Sequence, residues 1–432
     1  MTNEAADAVV RSWTSAFGTM APVGPSPALP DCAALAWAAS GGMALTGHPD
    51  QAPSLSPAAA LGLLFAVGRA LSACTGRIGA EVRIDPAEIL FGRAGLLGYR
   101  RAGRVSAGGH TRLLAAHDGW CAITISRPDD IELVPAIVES DAVTDPWIAL
   151  GARADRWSAS QLVNRAQLLG LPSAVLPARP LPGIPWHLSR IAESAGSPSL
   201  SGARVVDLSA MWAGPLCARL LSAAGADIIK VESTHRPDGA RQGDPRFYEW
   251  LHAGHAGRTL DFRSRHGRRT LAELIDSADV VIEASRPRAL RQLGLAPGTR
   301  PHRAGQVWLS ITGYGRDVPD RVAFGDDAAV SGGLVGRDEA GAPVFCGDAI
   351  ADPLTGVCAA LAVSAAVLAG GGQLIDLSMS RTAAAFAAAP AVKHGPHQVH
   401  RVGPDWLVDC PHLGTTQQVL GPPVLRENLN LC

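Results

Sequence analysis

Asp352 stands directly before Pro353, and the stretch from Pro353 to Ile375 carries no charge. An Asp-Pro pair heading a long apolar run marks a helix start, because proline is pre-set for the first turn and the carboxylate can cap free N–H groups. The positive end of the helix dipole also keeps a carboxylate ionised, the form a nucleophile needs. The two roles are compatible in one residue. Arg236, Arg241, Arg258 and Arg263 offer planar forks suited to phosphate, or are solvated loop charges. His252 and His255 have no carboxylate or cysteine companion in the sequence and read as surface or loop histidines. The cysteines at 32, 74, 121, 217, 346, 358, 410 and 432 form no C-x-x-C pair and no Cys/His cluster with zinc-ligand spacing. No metal site is expected, and reduced thiols fit a cytoplasmic protein.

These residues need a frame, and the most regular pattern lies between Ser201 and Thr312. ARVVDLS, ADIIKVE, DVVIEAS and QVWLSIT read as strands; GPLCARLLSAAG, HGRRTLAELIDSAD and PRALRQLG read as the helices between them. Such alternation predicts an α/β fold with a Rossmann-like parallel sheet that binds its ligand at the carboxyl ends of the strands. The first turn has no G-x-G-x-x-G; Met211 and Trp212 occupy the place where a dinucleotide pyrophosphate needs bare backbone. A nicotinamide enzyme is therefore not expected.

A partial repeat flanks this unit. Ser40-Gly41-Gly42 leads through a proline loop into a long apolar helix, and Ser331-Gly332-Gly333 does the same. Each copy then runs into a strand-like segment, GAEVRID in the first and GGQLIDLSM in the second. The expected organisation is a helical segment over 1–104, a smaller α+β domain over 105–180, a Pro/Gly-rich linker over 181–202, the sheet domain over 203–395, and a surface-wrapping segment over 396–432. Apolar residues make up 47% and charged residues 18%, with a net charge of −1. That balance excludes disorder and a nucleic-acid-coating surface. The uncharged stretch after Asp352 opens with proline and contains three successive glycines, so a buried helix is expected rather than a membrane span, and the N-terminus does not read as a secretory signal.

VVDLSAMWAGP, GADIIKVE, the RTLDF strand, DSADVVIEASRPRALRQLGL, VWLSITGYG, SGG and GDAIADPLTGVCAALAV occur in this order. Together they resemble the class III CoA-transferase family, the group of formyl-CoA transferase, carnitine CoA-transferase and α-methylacyl-CoA racemase. The resemblance implies that the turn Ala210, Met211, Trp212 and Ala213 binds CoA, helped by Arg236, Arg258, Arg263 and Ser285. It implies that Asp352 is the catalytic nucleophile, passing through an acyl-aspartyl anhydride and an aspartyl-CoA thioester. A glycine loop over the intermediate falls at Ser106, Ala107, Gly108 and Gly109. CoA and acyl-CoA are then substrates, with a small carboxylic acid as acceptor and no metal or covalently bound cofactor, and an interlaced homodimer is implied.

Two departures keep other readings open. The part resembling the small domain precedes the CoA-binding part, as in a permuted or partly duplicated family member. The racemases' Gly-His-Asp is here Gly325-Asp326-Asp327, which disfavours two-base proton exchange, although an Asp326/Asp352 pair moves protons if one carboxyl has a raised pKa. Ser56 stands in the first copy where Asp352 stands in the second and cannot form the anhydride. That copy is expected to be structural, and a non-catalytic CoA-binding scaffold is the third reading.

Overall fold

The computed structural model describes residues 3–18, 31–141, 143–196, 198–390 and 394–426; Cys432 and the last residues of the expected wrapping segment lie outside them. A seven-stranded sheet forms the centre. Its order is Trp186–Arg190, Gln373–Ser378, Val307–Thr312, Val280–Glu283, Arg204–Asp207, Asp227–Ser233, Ala256–Leu260. The last six are parallel, and Trp186–Arg190 pairs antiparallel at the edge. Strand order reverses between Arg204–Asp207 and Val280–Glu283, which opens a crevice at their carboxyl ends.

The strands sort their side chains by alternation. Val205, Val280, Ile282, Val307 and Leu309 face one core with the helices Ala213–Ala223, Ala351–Leu368 and Ala59–Ile78. Val206, Val281 and Trp308 face the other, against Leu271 and Ile275 of helix Arg265–Ser277. Burial on both faces explains why these strands read as continuous apolar runs.

Several expected boundaries differ. Residues 1–104 form no separate unit: Ala59–Ile78 shares the central core with Ala351–Leu368, so the two repeat helices pack in one body. Both are long and apolar enough to cross a membrane, yet most of each is buried inside the protein. GAEVRID makes no strand pairing; Asp85 ends it as the cap of helix Pro86–Leu97, accepting from the Ala87 and Glu88 N–H groups. The expected linker 181–202 contains the edge strand Trp186–Arg190, whose Trp186 is buried. The polar stretch after 390 folds into a three-stranded antiparallel sheet, Gln398–Val402, Asp405–Cys410 and Thr415–Gln418, around buried Val408 and Cys410.

The smaller unit has its own core of Ile123, Val134, Leu150, Leu162 and neighbours. Its strands Thr111–Ala116 and Gly119–Thr124 dock through Leu113 and Ala122 onto Val330 and Phe345. Residues 419–426 then cross helix Pro86–Leu97. The Leu420 N–H donates to the Ala38 carbonyl, the Arg426 N–H to Glu88, and the Trp250 indole to the Arg426 carbonyl.

Candidate functional site

Asp352 is the second residue of helix Ala351–Leu368, and its N–H donates to the Ala349 carbonyl at 2.8 Å. Ala349 has φ of +42°, a left-handed conformation that costs a residue with a Cβ and persists only where neighbours enforce it. Asp326 enforces it, its Oδ1 accepting the Ala349 N–H at 3.0 Å. The Asp352 carboxylate rests on Gly325, whose N–H donates to it. A Cβ at 325 would run into both Asp352 Oδ2 and the Ala349 carbonyl.

Four carboxyl groups gather here, two buried and two half-buried. Asp327 and Asp348 are buried at 0% and 2% exposure, whereas Asp326 and Asp352 keep partial access to solvent. Asp327 Oδ1 accepts from the Thr124 hydroxyl at 3.1 Å and the Phe324 N–H at 3.0 Å; its other oxygen has no hydrogen-bond partner among the described residues. Asp326 accepts from the hydroxyls of Thr111, at 3.2 Å, and Ser106. Asp348 pairs with Arg93 at 2.6 Å.

Burial pushes the Asp352 pKa up to about 7; Arg93 opposes the rise and the charges of Asp326 and Asp348 add to it. Burial, then Asp348, raises Asp326 to about 6, and burial alone dominates at Asp327, raised to about 8. The expectation that a helix N-terminus keeps Asp352 fully ionised is therefore corrected. The dipole's effect is of order 1 kcal/mol, and desolvation beside like charges exceeds it.

The cation of the site comes from the first hundred residues. Arg93, on helix Pro86–Leu97, lies 5.3 Å from the Trp212 and Phe247 ring centroids and 5.8 Å from that of Tyr99, in cation–π range. The sequence reading missed Arg93, Tyr99, Thr111 and Asp348. The usable signal was a lone arginine in the apolar run ILFGRAGLL.

The turn 210–213 follows strand Arg204–Asp207. Asp207 accepts from the Ser209 N–H and hydroxyl. Buried Lys230 pairs with Asp238 at 3.0 Å and Asp207 at 3.6 Å and donates to the Ser209 carbonyl. Asp238 in turn accepts the Met211 N–H at 2.9 Å, holding Met211 at a left-handed φ of +73°. Ala210 and Met211 are exposed, while Trp212 and Ala213 are buried. Trp212 meets Phe247 edge-on at 5.2 Å. Gly356, one helical turn beyond Asp352, brings this turn close: a Cβ there would lie 2.8 Å from the Ala213 carbonyl oxygen.

The remaining candidates divide. In the 106–109 turn the Gly109 N–H donates to the Ser106 carbonyl, and Ser106 reaches Asp326, so this loop joins the carboxylates; Ala107 and Gly108 are half-buried and Gly109 exposed. Arg236, Arg258 and Arg263 are exposed, Ser285 is half-buried, and none of the four bonds to the carboxylates among the described residues. Arg236 does belong to a cationic group: burial lowers the Arg286 pKa, and the charges of Arg288, Arg236 and Arg127 lower it further. Arg241 is engaged by Glu232 at 2.7 Å. His252 ends helix Pro245–His252 and, like His255, is half-buried. Burial, the largest cause, depresses both to about 4; His255 lies in the loop before strand Ala256–Leu260, whereas His252 belongs to a helix and departs from the surface or loop position expected. The expected absence of a Cys/His cluster is also corrected: the fold gathers Cys32, His394, His397 and Cys410. His394 and Cys410 are 16 residues apart, but Cys32 stands 365 residues from His397, so the full set leaves no linear spacing to detect.

Residues 200–406 match the model of a family described as CoA-transferase family III. Succinate–glutarate CoA-transferase of Agrobacterium fabrum is 32% identical over 205 residues, 42% of this chain and 51% of that protein. The succinyl-CoA–L-malate CoA-transferase beta subunit of Chloroflexus aurantiacus is 34% identical over 198 residues, 42% of this chain and 49% of that protein. The chain thus spans about half the length of the curated relatives it matches. A CAIB/BAIF family protein from Brucella suis aligns with a TM-score of 0.43 and 26% identity, covering 50% of this chain and 66% of that structure.

Proposed function

We propose that this chain, whose residues 200–406 match the CoA-transferase family III model, moves CoA from an acyl-CoA to a small carboxylic acid with Asp352 as nucleophile. The observation that carries this reading is the placement of the half-buried Asp352 carboxylate, one helical turn from the 210–213 turn and beside Arg93. That turn lies at the crevice of a sheet whose six parallel strands run in the Rossmann-like order 3-2-1-4-5-6. CoA phosphates are given to Arg236, Arg286, Arg288 and Arg127, a group whose mutual repulsion an anion relieves.

In the first step the ionised Asp352 carboxylate attacks the thioester carbonyl, the C–S bond breaks, and an acyl-aspartyl anhydride and CoA thiolate form. The thiolate attacks the aspartyl carbonyl, releasing the donor acid and leaving an aspartyl-CoA thioester. The acceptor carboxylate attacks that thioester, and the returning thiolate captures the acceptor's acyl group, regenerating the Asp352 carboxylate. Covalent relay replaces one difficult transfer by easier steps. Arg93 favours the ionised carboxylate and counters charge building beside Asp348. The 106–109 turn, tied to Asp326 through Ser106, covers the intermediate. The protein acts as a cytoplasmic homodimer in this reading.

The test is incubation with acyl-CoA donors, beginning with succinyl-CoA, followed by hydroxylamine or borohydride trapping and peptide mass analysis. A mass change at Asp352 is expected. Retained CoA binding without an adduct across a broad panel would favour the scaffold. A second reading gains support from the raised pKa values of Asp326 and Asp352: two half-buried carboxyls titrating near neutrality suit proton transfer at the α-carbon of an acyl-CoA. Deuterium entering the α-carbon with no CoA exchange between acids would establish it and exclude the transferase.

A further inference from the structure

We propose that Cys32, His394, His397 and Cys410 bind a structural zinc ion that fastens the 398–418 sheet to the N-terminal part of the chain. The ligand atoms of all four residues lie within 4.8 Å of one another. Cys32 Sγ is 3.1 Å from His397 Nε2, and Cys410 Sγ is 3.6 Å from His394 Nδ1. In a tetrahedral site with Zn–S near 2.3 Å and Zn–N near 2.0–2.1 Å, the edges come to roughly 3.3–3.8 Å. The group is thus already close to the required size, and its longest separation needs to contract by about 1 Å.

The donor set selects the ion. Two thiolates and two imidazoles make a closed four-ligand shell that suits zinc, whereas magnesium and calcium require oxygen donors. Charge supports the assignment as well: two thiolates cancel the charge of Zn2+, so the site can be buried without a stranded ion. Both cysteines are almost fully buried, at 3% and 1% exposure, with Ala34, Leu35 and Leu55 packed around them. The His412 ring lies tilted at 37° against His394 with centroids 4.6 Å apart, restraining that ligand.

The surrounding architecture gives the ion a role. Cys32 precedes helix Ala33–Ala39, His394 and His397 precede strand Gln398–Val402, and Cys410 ends strand Asp405–Cys410. Most side chains of the three-stranded sheet are exposed or half-buried, with Val408 and Cys410 its buried ones. A sheet with so small an apolar face holds poorly by burial alone, and metal binding energy can supply what burial does not. The carboxylate cluster contributes none of the four ligands, so the metal has no part in the transfer chemistry.

The experiment uses the full chain, purified without chelator and analysed by inductively coupled plasma mass spectrometry. About one zinc per chain is expected. Exchange into Co2+ should give the intense visible absorption of a tetrahedral site with thiolate charge transfer in the near ultraviolet. Cys32→Ser and His397→Asn should each lower bound zinc at least tenfold, while Cys74→Ser, a buried cysteine on helix Ala59–Ile78, should retain it. If the ligand variants fail to fold, the cobalt spectrum of the unaltered protein still decides. Zinc retained in both ligand variants, or unaltered protein with neither zinc nor a thiolate–cobalt band, overturns the proposal. So does a Cys32–Cys410 disulfide recovered from metal-free protein, which would assign the pair to oxidation.

Discussion

Replacing Gly325 by alanine tests the site without touching a charged group. The added Cβ would lie 2.8 Å from the Ala349 carbonyl carbon and closer still to the Ala349 oxygen and Asp352 Oδ2. Ordinary carbon contacts begin near 3.5 Å, so these neighbours must retreat by at least about 0.7 Å, and by about 1 Å at the oxygens. Ala349 has little freedom to do so, because its left-handed backbone is held by Asp326 and its carbonyl receives the Asp352 N–H. The displacement therefore falls on the Asp352 carboxylate. A shift of about 1 Å costs roughly 100-fold in rate, or about 2.7 kcal/mol of transition-state stabilisation. Overpacking adds a stability loss of about 1–3 kcal/mol.

The assay measures transfer rates with a donor and acceptor pair that the unaltered protein turns over, alongside thermal melting and CoA affinity. Gly151→Ala serves as control, since that helical glycine in the smaller unit has open space beside it. The expected result is a rate fall near 100-fold for Gly325→Ala with CoA affinity within threefold, and an unchanged rate for Gly151→Ala. Unaltered transfer by a folded Gly325→Ala protein would refute the claim that the Asp352 carboxylate works from this position.

In the proposed function Asp352 attacks only after losing its proton, so transfer should rise with pH through about 7; a flat profile from pH 5 to 9 contradicts the assignment. Arg93→Gln removes the cation that lowers the Asp352 pKa and should move that rise to higher pH, whereas loss of rate without any shift would show that Arg93 acts only in binding. Asp327 is raised from an ordinary 3.8 to about 8, so the folded state holds its proton more tightly than the unfolded chain. That contribution is full below about pH 4 and is lost as pH rises through 8; melting temperature should fall from pH 5.5 to 8.5, and Asp327→Asn should flatten the fall. An equal slope in the variant refutes the cause. Sedimentation at micromolar concentration should show a dimer, and a monomer there would contradict the expected assembly.

The parts that local sequence determines were legible. Val205, Val280 and Val307 belong to continuous apolar runs flanked by helical periodicity, a pattern with few other solutions in a parallel sheet. The apolar helix was legible from the residues after Asp352, but it begins at Ala351 with Ile350 as its cap, so Asp352 lies inside the first turn and is not the capping residue expected. What escaped reading depends on contacts between distant segments. Arg93 looks like an isolated charge until Asp348 and the Trp212 and Phe247 rings close around it. Trp186 sits among prolines and glycines that read as a linker, yet an open sheet edge at Gln373–Ser378 recruits it. The raised pKa of Asp352 was illegible for the same reason, because its desolvation comes from surfaces on other segments.

Residues 419–426, which cross helix Pro86–Leu97, set an order of events during synthesis. The helix bearing Arg93 leaves the ribosome when about a quarter of the described chain exists, but Asp348, Asp352 and the strap that bonds to Glu88 and Ala38 follow hundreds of residues later. Until then Arg93 waits for Asp348, although its helix can already pack on Ala59–Ile78 and, through Phe91, on Trp37. The carboxylate cluster is thus assembled only once Asp348 and Asp352 join Arg93, and the strap that crosses the Arg93 helix is laid down after the last strand of the parallel sheet, Gln373–Ser378.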